Sequence, residues 1–228
     1  MILFKSQCVL CDTKVDGTIS LCDGCRADLP IVEVACNSCA LPIVADNKSN
    51  FCGQCIGHDF YVDYAINLFH YVNPVDYLIG QMKFQQQLSV VAVLADLLKA
   101  HIESNTLEHG LPDALLPVPL HKKRLTKRGF NQSLEIVKPL AKSQSIPLLL
   151  NTIERVKNTQ AQTNLSKQAR KKNVSGGFTL LEKPLHSHIV IIDDVVTTGA
   201  TTNELAKLLK KSGVEKVGVW SLARADLS

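Results

Sequence analysis

The chain has 228 residues, 46% of them hydrophobic, which suits one medium domain plus a small appendage. No apolar stretch of about 18 residues is free of charge, so no spanning helix is indicated. The opening MILFKSQCVLCD lacks the apolar length and small-residue cleavage site of a signal peptide, and a cytoplasmic protein is expected. The net charge of +4 is unevenly spread: residues 1–60 carry four basic and seven acidic side chains (−3), and the other 168 carry 21 and 14 (+7). A polyanionic partner is therefore expected on the C-terminal part.

All eight cysteines fall in residues 1–60 as four CxxC pairs: Cys8/Cys11, Cys22/Cys25, Cys36/Cys39 and Cys52/Cys55. Each CxxC turn aims two thiolates at one ion, and two such turns complete a tetrahedral four-thiolate zinc site. Metal binding then supplies the folding energy that a short segment cannot draw from its own core. Two structural zinc ions are expected, assigned most simply as Cys8/Cys11/Cys22/Cys25 and Cys36/Cys39/Cys52/Cys55. A cross-braced arrangement, in which the first and third pairs share an ion, fits the spacing too. Disulfides would need an oxidising compartment, and a redox CxxC is usually single and at a helix start. The segment is acidic and each four-thiolate zinc centre adds about −2 by formal count, so protein docking fits this module better than phosphate binding.

Beyond residue 60, the aromatic and β-branched run Tyr61–Val72 predicts a strand, and Pro74–Phe84 a short helix opened by proline. A longer helix is expected over Leu88–Glu103, where Val90, Val91, Leu94, Leu97, Leu98 and Ile102 keep helical spacing. Asp113–Leu120 reads as a strand ended by its prolines, and Asn131–Lys142 as a helix with Asn131 as its cap. Ile189–Ile192 and Lys216–Leu222 are strands flanking the helical pattern Asn203–Lys211. Alternating strands and helices predict an α/β fold with a parallel sheet.

Two basic segments interrupt this pattern. HKKRLTKR (His121–Arg128) holds five cations in eight residues and follows a predicted strand end directly, as a loop before RGFNQS. Arg155–Phe178 holds Arg155, Lys157, Lys167, Arg170, Lys171 and Lys172 with no acid, and its length and polarity suit a lid. The second segment could clamp pyrophosphate or bind single-stranded nucleic acid by its phosphates, and Lys122, Lys123, Lys127, Arg128, Arg170, Lys171 and Lys172 are the candidate nucleic-acid contacts.

The richest stretch is IVIIDDVVTTGATT, Ile189–Thr202. A continuous β-branched run suits a central parallel strand covered on both faces. Its C-terminal end, where open α/β sheets bind ligands, carries Asp193 and Asp194. The small-residue turn Thr197-Thr198-Gly199-Ala200-Thr201 then leads into a helix, the usual geometry of a phosphate cradle. Paired acids beside such a cradle suit a sugar phosphate, since carboxylates accept hydrogen bonds from a diol.

This stretch resembles the 5-phosphoribosyl-1-pyrophosphate (PRPP) motif of type I phosphoribosyltransferases. The resemblance implies a type I phosphoribosyltransferase-like core in which Asp193 and Asp194 hold the ribose hydroxyls. It also implies that a loop over Val195, Val196, Thr197, Thr198, Gly199, Ala200, Thr201 and Thr202 holds the 5′-phosphate, with Mg²⁺ accompanying PRPP. By position, the 121–128 loop is the pyrophosphate loop, and Arg124 and Arg128 are the candidate catalytic ligands, each guanidinium presenting a fork to phosphate oxygens. VPLHKKRLTKRGFNQS and RVKNTQAQTNLSKQARKKNVSGGF are similar to segments of the ComF/GntX family of competence proteins. That likeness covers nearly the whole chain, as a double zinc-ribbon module over 1–60 and a phosphoribosyltransferase-like domain over 61–228. It implies a role in natural transformation and DNA utilisation, helping single-stranded DNA into the cytoplasm, with the zinc module contacting a competence helicase or other DNA-processing proteins. The alternative is a working Mg²⁺-dependent phosphoribosyltransferase; no stretch is recognisable as its acceptor pocket, and Tyr61–Phe84, including Lys83-Phe84, is the candidate by default.

Overall fold

The computed structural model describes residues 6–43, 51–56, 60–85, 87–105, 108–157 and 175–225. The head comprises the two-residue strands β1 (Ser6–Gln7) and β2 (Lys14–Val15), paired antiparallel, and α1 (Asp23–Ala27). The body follows as β3 (Tyr64–His70), α2 (Val75–Phe84), α3 (Leu88–Asn105), β4 (Ala114–Pro117), α4 (Lys122–Arg128), α5 (Gln132–Gln144), β5 (Ile153–Arg155), β6 (Phe178–Leu180), β7 (His188–Val196), α6 (Ala200–Lys211) and β8 (Lys216–Arg224). Strands β3, β8, β7 and β4 form a parallel sheet in that order. Among the described residues no helix is long and apolar enough to cross a membrane.

The unbroken apolar run of β7 follows from its place inside this sheet. Val190 and Ile192 join a cluster with Val90, Leu94 and Leu98 of α3 and Ile136 and Leu140 of α5. Ile189 and Ile191 enter a second cluster with Leu205 and Leu209 of α6. Both faces are therefore covered, and each buried aliphatic contributes about 1.5–3 kcal/mol gross. The alternation breaks at the acids: Ile192 and Val195, three residues apart, both pack against the first cluster. Gly218 of β8 is required by a close approach, because a Cβ there would lie 2.4 Å from the Tyr64 ring.

The head joins the sheet at its β3 edge. Ile31 forms an antiparallel bridge to Phe69, the Val32 amide donates to the Leu68 carbonyl (3.0 Å), and the His70 amide donates to the Pro30 carbonyl (2.9 Å). An edge strand that would otherwise invite foreign pairing is thus covered. Cys8, Leu21 and Leu29 are members of the same buried cluster as Leu68 and Trp220, so head and body share apolar packing.

Three local expectations change. The basic segment after β4 is a helix, α4, and not a loop: the His121 ring accepts from the Lys123 amide (3.2 Å) at its start, and Gly129 ends it. The helix buries none of its residues: Lys122, Lys123 and Lys127 are exposed, and Arg124 and Arg128 are half-buried. Asn131 stands at the start of α5 but its side chain does not cap it; Nδ2 donates to the Val118 carbonyl instead (3.0 Å) and ties the turn back to β4. β7 continues through the acid pair to Val196, so Val195 and Val196 belong to the strand, with Val196 buried in the second cluster. The turn itself is only Thr197–Gly199, because Ala200, Thr201 and Thr202 already lie in α6.

Candidate functional site

The acid pair, the short turn and the cationic residues meet at the C-terminal ends of β4 and β7. Asp194 is buried and pairs with Lys83 of α2 at 3.1 Å. Its amide donates to Asp193 Oδ1 at 2.9 Å. Burial, and then the neighbouring Asp194 carboxylate, push Asp193 up to about 7 against the opposing pull of Lys83 and Arg155. Asp193 is thus poised to donate or accept near neutral pH, which suits hydrogen bonding to sugar hydroxyls.

The turn after β7 depends on Gly199, whose φ of +72° is costly for a residue with a Cβ. As the cap of α6 it places no side chain across the helix's first amides, and the helix dipole favours an anion there. Thr198 Oγ1 accepts from the Ala200 amide (3.4 Å), and Thr202 Oγ1 donates to the Gly199 carbonyl (3.0 Å), fixing the turn's shape.

Three guanidinium groups join this neighbourhood. Burial and the neighbouring Arg128 lower the pKa of Arg124. Burial, Arg124 and Arg128 lower that of Arg155, with Asp193 opposing them. These mutual effects place Arg124, Arg128, Arg155 and Asp193 in one electrostatic neighbourhood. Arg128 donates to Gln132 Oε1 (3.0 Å) and stands 5.8 Å from the Phe84 ring, and Arg155 stands 5.3 Å from the Phe178 ring. Four cations (Lys83, Arg124, Arg128, Arg155) against two acids leave a surplus of positive charge, which fits a polyphosphate ligand. Strands β5 and β6 pair antiparallel and bring both ends of the basic 155–178 segment to this site.

The head gathers its thiols into two groups, Cys8/Cys11/Cys22/Cys25 and Cys36/Cys39/Cys52/Cys55, with all four sulfurs of each within 4.8 Å of one another. This is the sequential arrangement, not the cross-braced one. Cys11 and Cys22 sulfurs are 3.7 Å apart, and those of Cys39 and Cys52 are 3.6 Å apart. A tetrahedron with Zn–S bonds of about 2.3 Å has edges of about 3.8 Å. The donor set and its spacing fit a structural zinc in each group. Burial works against the Cys8 and Cys36 thiolates, but backbone hydrogen bonds, from Cys22 and Cys52 of the facing turns and then from their own CxxC turns, outweigh it and hold them at about 6 and about 7.

Residues 1–56 match the double zinc ribbon domain, and residues 131–226 match the phosphoribosyl transferase domain. The chain is 34% identical to competence protein F of Haemophilus influenzae, over 99% of this chain and 100% of that one. It is 36% identical to the DNA utilization protein YhgH of Salmonella typhi, over 98% and 99% of the two chains. The chain belongs to the ComF family of competence and DNA-utilization proteins. Competence protein ComFC of Bacillus subtilis is a more distant member, 25% identical over 98% of this chain and 97% of that one.

Within this ComF-family fold the sequence-predicted residues are distributed as follows. Asp193, Asp194, Arg124 and Arg128 come together at the sheet edge, beside the turn. Lys122, Lys123 and Lys127 line the exposed side of α4, with Lys122 paired to Glu154 at 2.9 Å. Arg170, Lys171 and Lys172 lie outside the described residues. Lys83, named only within the default acceptor stretch, and Arg155, named only within the basic lid, take places beside the acid pair that motif reading does not assign them. Lys83 sits on a helix far from the motif in sequence, and Arg155 is one of six cations in a uniformly basic run. Arg224 is a third: 2% exposed at the end of β8, it donates from Nε to the Cys39 carbonyl (3.0 Å) and from Nη1 to the Val196 carbonyl (3.1 Å).

Proposed function

We propose that this ComF-family protein is a cytoplasmic DNA-handling protein that binds PRPP with Mg²⁺ at the C-terminal edge of its sheet. It helps internalise single-stranded DNA by gripping the phosphates along its basic surface. One observation carries the reading: the Asp193-Asp194 pair stands just before the Gly199-capped turn, with Lys83 paired to Asp194 and three arginines in the same electrostatic neighbourhood. This set of groups matches the chemistry of PRPP, with a 5′-phosphate, a ribose diol and a pyrophosphate. Asp193 and Asp194 accept from the ribose hydroxyls, and Thr197–Thr201 hold the 5′-phosphate, positioned by Val195 and Val196. Arg124, Arg128 and Arg155 face the pyrophosphate. Mg²⁺ supplies charge neutralisation between phosphate oxygens, and its preference for hard oxygen ligands suits the acid pair.

The names of the relatives, competence and DNA utilization proteins, support DNA as the larger partner. Lys122, Lys123, Lys127 and Arg128 are the phosphate contacts on α4, joined by Arg170, Lys171 and Lys172. Residues 1–60 act as a zinc-stabilised head with one ion per cysteine group. The exposed Ile31, Val34 and Ile56 of this acidic module suit contacts with DNA-processing proteins such as a competence helicase.

A second reading, phosphoribosyl transfer to an unidentified acceptor, is favoured by the three arginines at the leaving-group position, which suit stabilisation of a departing pyrophosphate. Calorimetry with PRPP and Mg²⁺ tests the shared pocket. Asp193→Asn with Asp194→Asn is expected to lower affinity by at least about tenfold, the loss of two charge-assisted hydrogen bonds. Unchanged affinity refutes the pocket under both readings.

A further inference from the structure

We propose that Phe84 is a stacking seat for an unpaired base of single-stranded DNA, so that the nucleic-acid surface reads bases as well as phosphates. The inference rests on the DNA-binding reading above and adds the residue that would meet a base.

Helix α2 buries Val75, Leu78, Ile79 and Met82 completely, yet leaves Phe84 at its C-terminal end 77% exposed. Placing a ring of that size in water forfeits the gain from burial that the rest of the helix secures. Tyr77, seven residues earlier on the same helix face, is also more than half exposed, and its hydroxyl accepts from Gln81. The surroundings of Phe84 decide between possible occupants. The Arg128 guanidinium stands 5.8 Å from its ring, the adjacent Lys83 points to Asp194, and Lys127 and Lys123 extend the positive face along α4. An apolar protein side chain gains nothing from so many cations. A nucleotide satisfies both elements, with its base against the ring and its phosphate on Arg128 or Lys127. This alternation of aromatic and basic side chains is the general signature of single-strand binding.

The test compares a thymidine oligomer with an abasic oligomer of the same length, measured by fluorescence anisotropy on the full-length, zinc-loaded protein. Wild type is expected to prefer the oligomer with bases by on the order of tenfold, the effect of stacking one base. Phe84→Ala should abolish that preference while leaving abasic affinity and its salt dependence unchanged, because those report phosphate contacts. Phe84→Trp should retain the preference and show quenching of the new indole on binding; the native Trp220 is fully buried and does not interfere. A preference that survives Phe84→Ala, or equal binding of both oligomers by wild type, overturns the stacking seat while the DNA-binding reading stands. Failure of wild type to bind either oligomer overturns the DNA-binding reading and this inference with it.

Discussion

The two cysteine groups of the head share a ligand set but are attached to the body by different forces. The first, around Cys8, Cys11, Cys22 and Cys25, meets the body through apolar packing, with Cys8, Leu21 and Leu29 in the cluster that also holds Leu68 and Trp220. The second, around Cys36, Cys39, Cys52 and Cys55, is framed by directed hydrogen bonds. The Ala65 amide donates to the Asn37 carbonyl (3.1 Å), Asn67 Nδ2 donates to the Ala40 carbonyl (3.2 Å), and Arg224 Nε donates to the Cys39 carbonyl. The same guanidinium reaches Val196, the last strand residue before the Thr197–Gly199 turn. Cys39, Cys55, Thr198, Gly199 and Arg224 accordingly line one cavity. Apolar contacts tolerate small shifts, whereas a buried charge held by carbonyls does not. The second group is therefore part of the framework of the candidate site, and the first is attached through the core.

The largest expected effect separates the two groups directly. Cys39→Ser with Cys55→Ser should lose one zinc, lower the melting temperature by about 10 °C and weaken PRPP binding by at least about tenfold. Cys11→Ser with Cys22→Ser should also lose one zinc, but leave PRPP affinity within about threefold. Metal analysis, thermal melts and calorimetry on both variants decide the matter, and equal losses of affinity would end the distinction.

Arg224→Met probes the link itself. It leaves the Cys39, Val196 and Ala225 carbonyls without their shared donor and is expected to cost about 3 kcal/mol in urea unfolding. Arg224→Lys keeps the charge but not the planar fork and should fall between the two. A Met variant as stable as wild type would mean that packing alone carries the second group.

The body of this architecture was legible in the sequence because its signals are local. The apolar run Ile189–Ile192 reads as a covered strand, and the structure buries all four residues. The CxxC pairs limit the thiols to few groupings, though spacing alone leaves sequential and cross-braced pairing open. What the sequence hid was long-range or conformational. Arg224 looks like one more cation at a strand end, and only the fold brings it between Cys39 and Val196. Lys83 meets Asp194 across more than a hundred residues, a contact that no local pattern encodes. The basic run at 121–128 reads as a loop by composition, yet a ring cap at His121 and a glycine stop let it wind into a helix. The Asn131 side chain was legible as a cap but serves a tertiary contact to Val118, since neighbouring β4 offers a carbonyl within reach.

The smallest effect asks how far the second group's influence extends, and the titration of Asp193 measures it. Its carboxyl is raised from an ordinary value of 3.8 to about 7 by burial and Asp194, with Lys83 and Arg155 opposing, and none of these groups belongs to the head. An acid whose folded pKa exceeds its unfolded one keeps its proton longer in the native state, so its contribution to stability declines as pH rises from about 4 to about 7. PRPP affinity should run the other way, rising through pH of about 7 as the carboxylate becomes a full acceptor. Asp193→Asn should flatten both slopes and stabilise the ligand-free protein at pH 8 by on the order of 1 kcal/mol while binding PRPP more weakly. In Arg224→Met both slopes should persist, because the groups that set this titration lie on α2, β5 and β7. Slopes that vanished there would extend the coupling past the turn to the acids themselves.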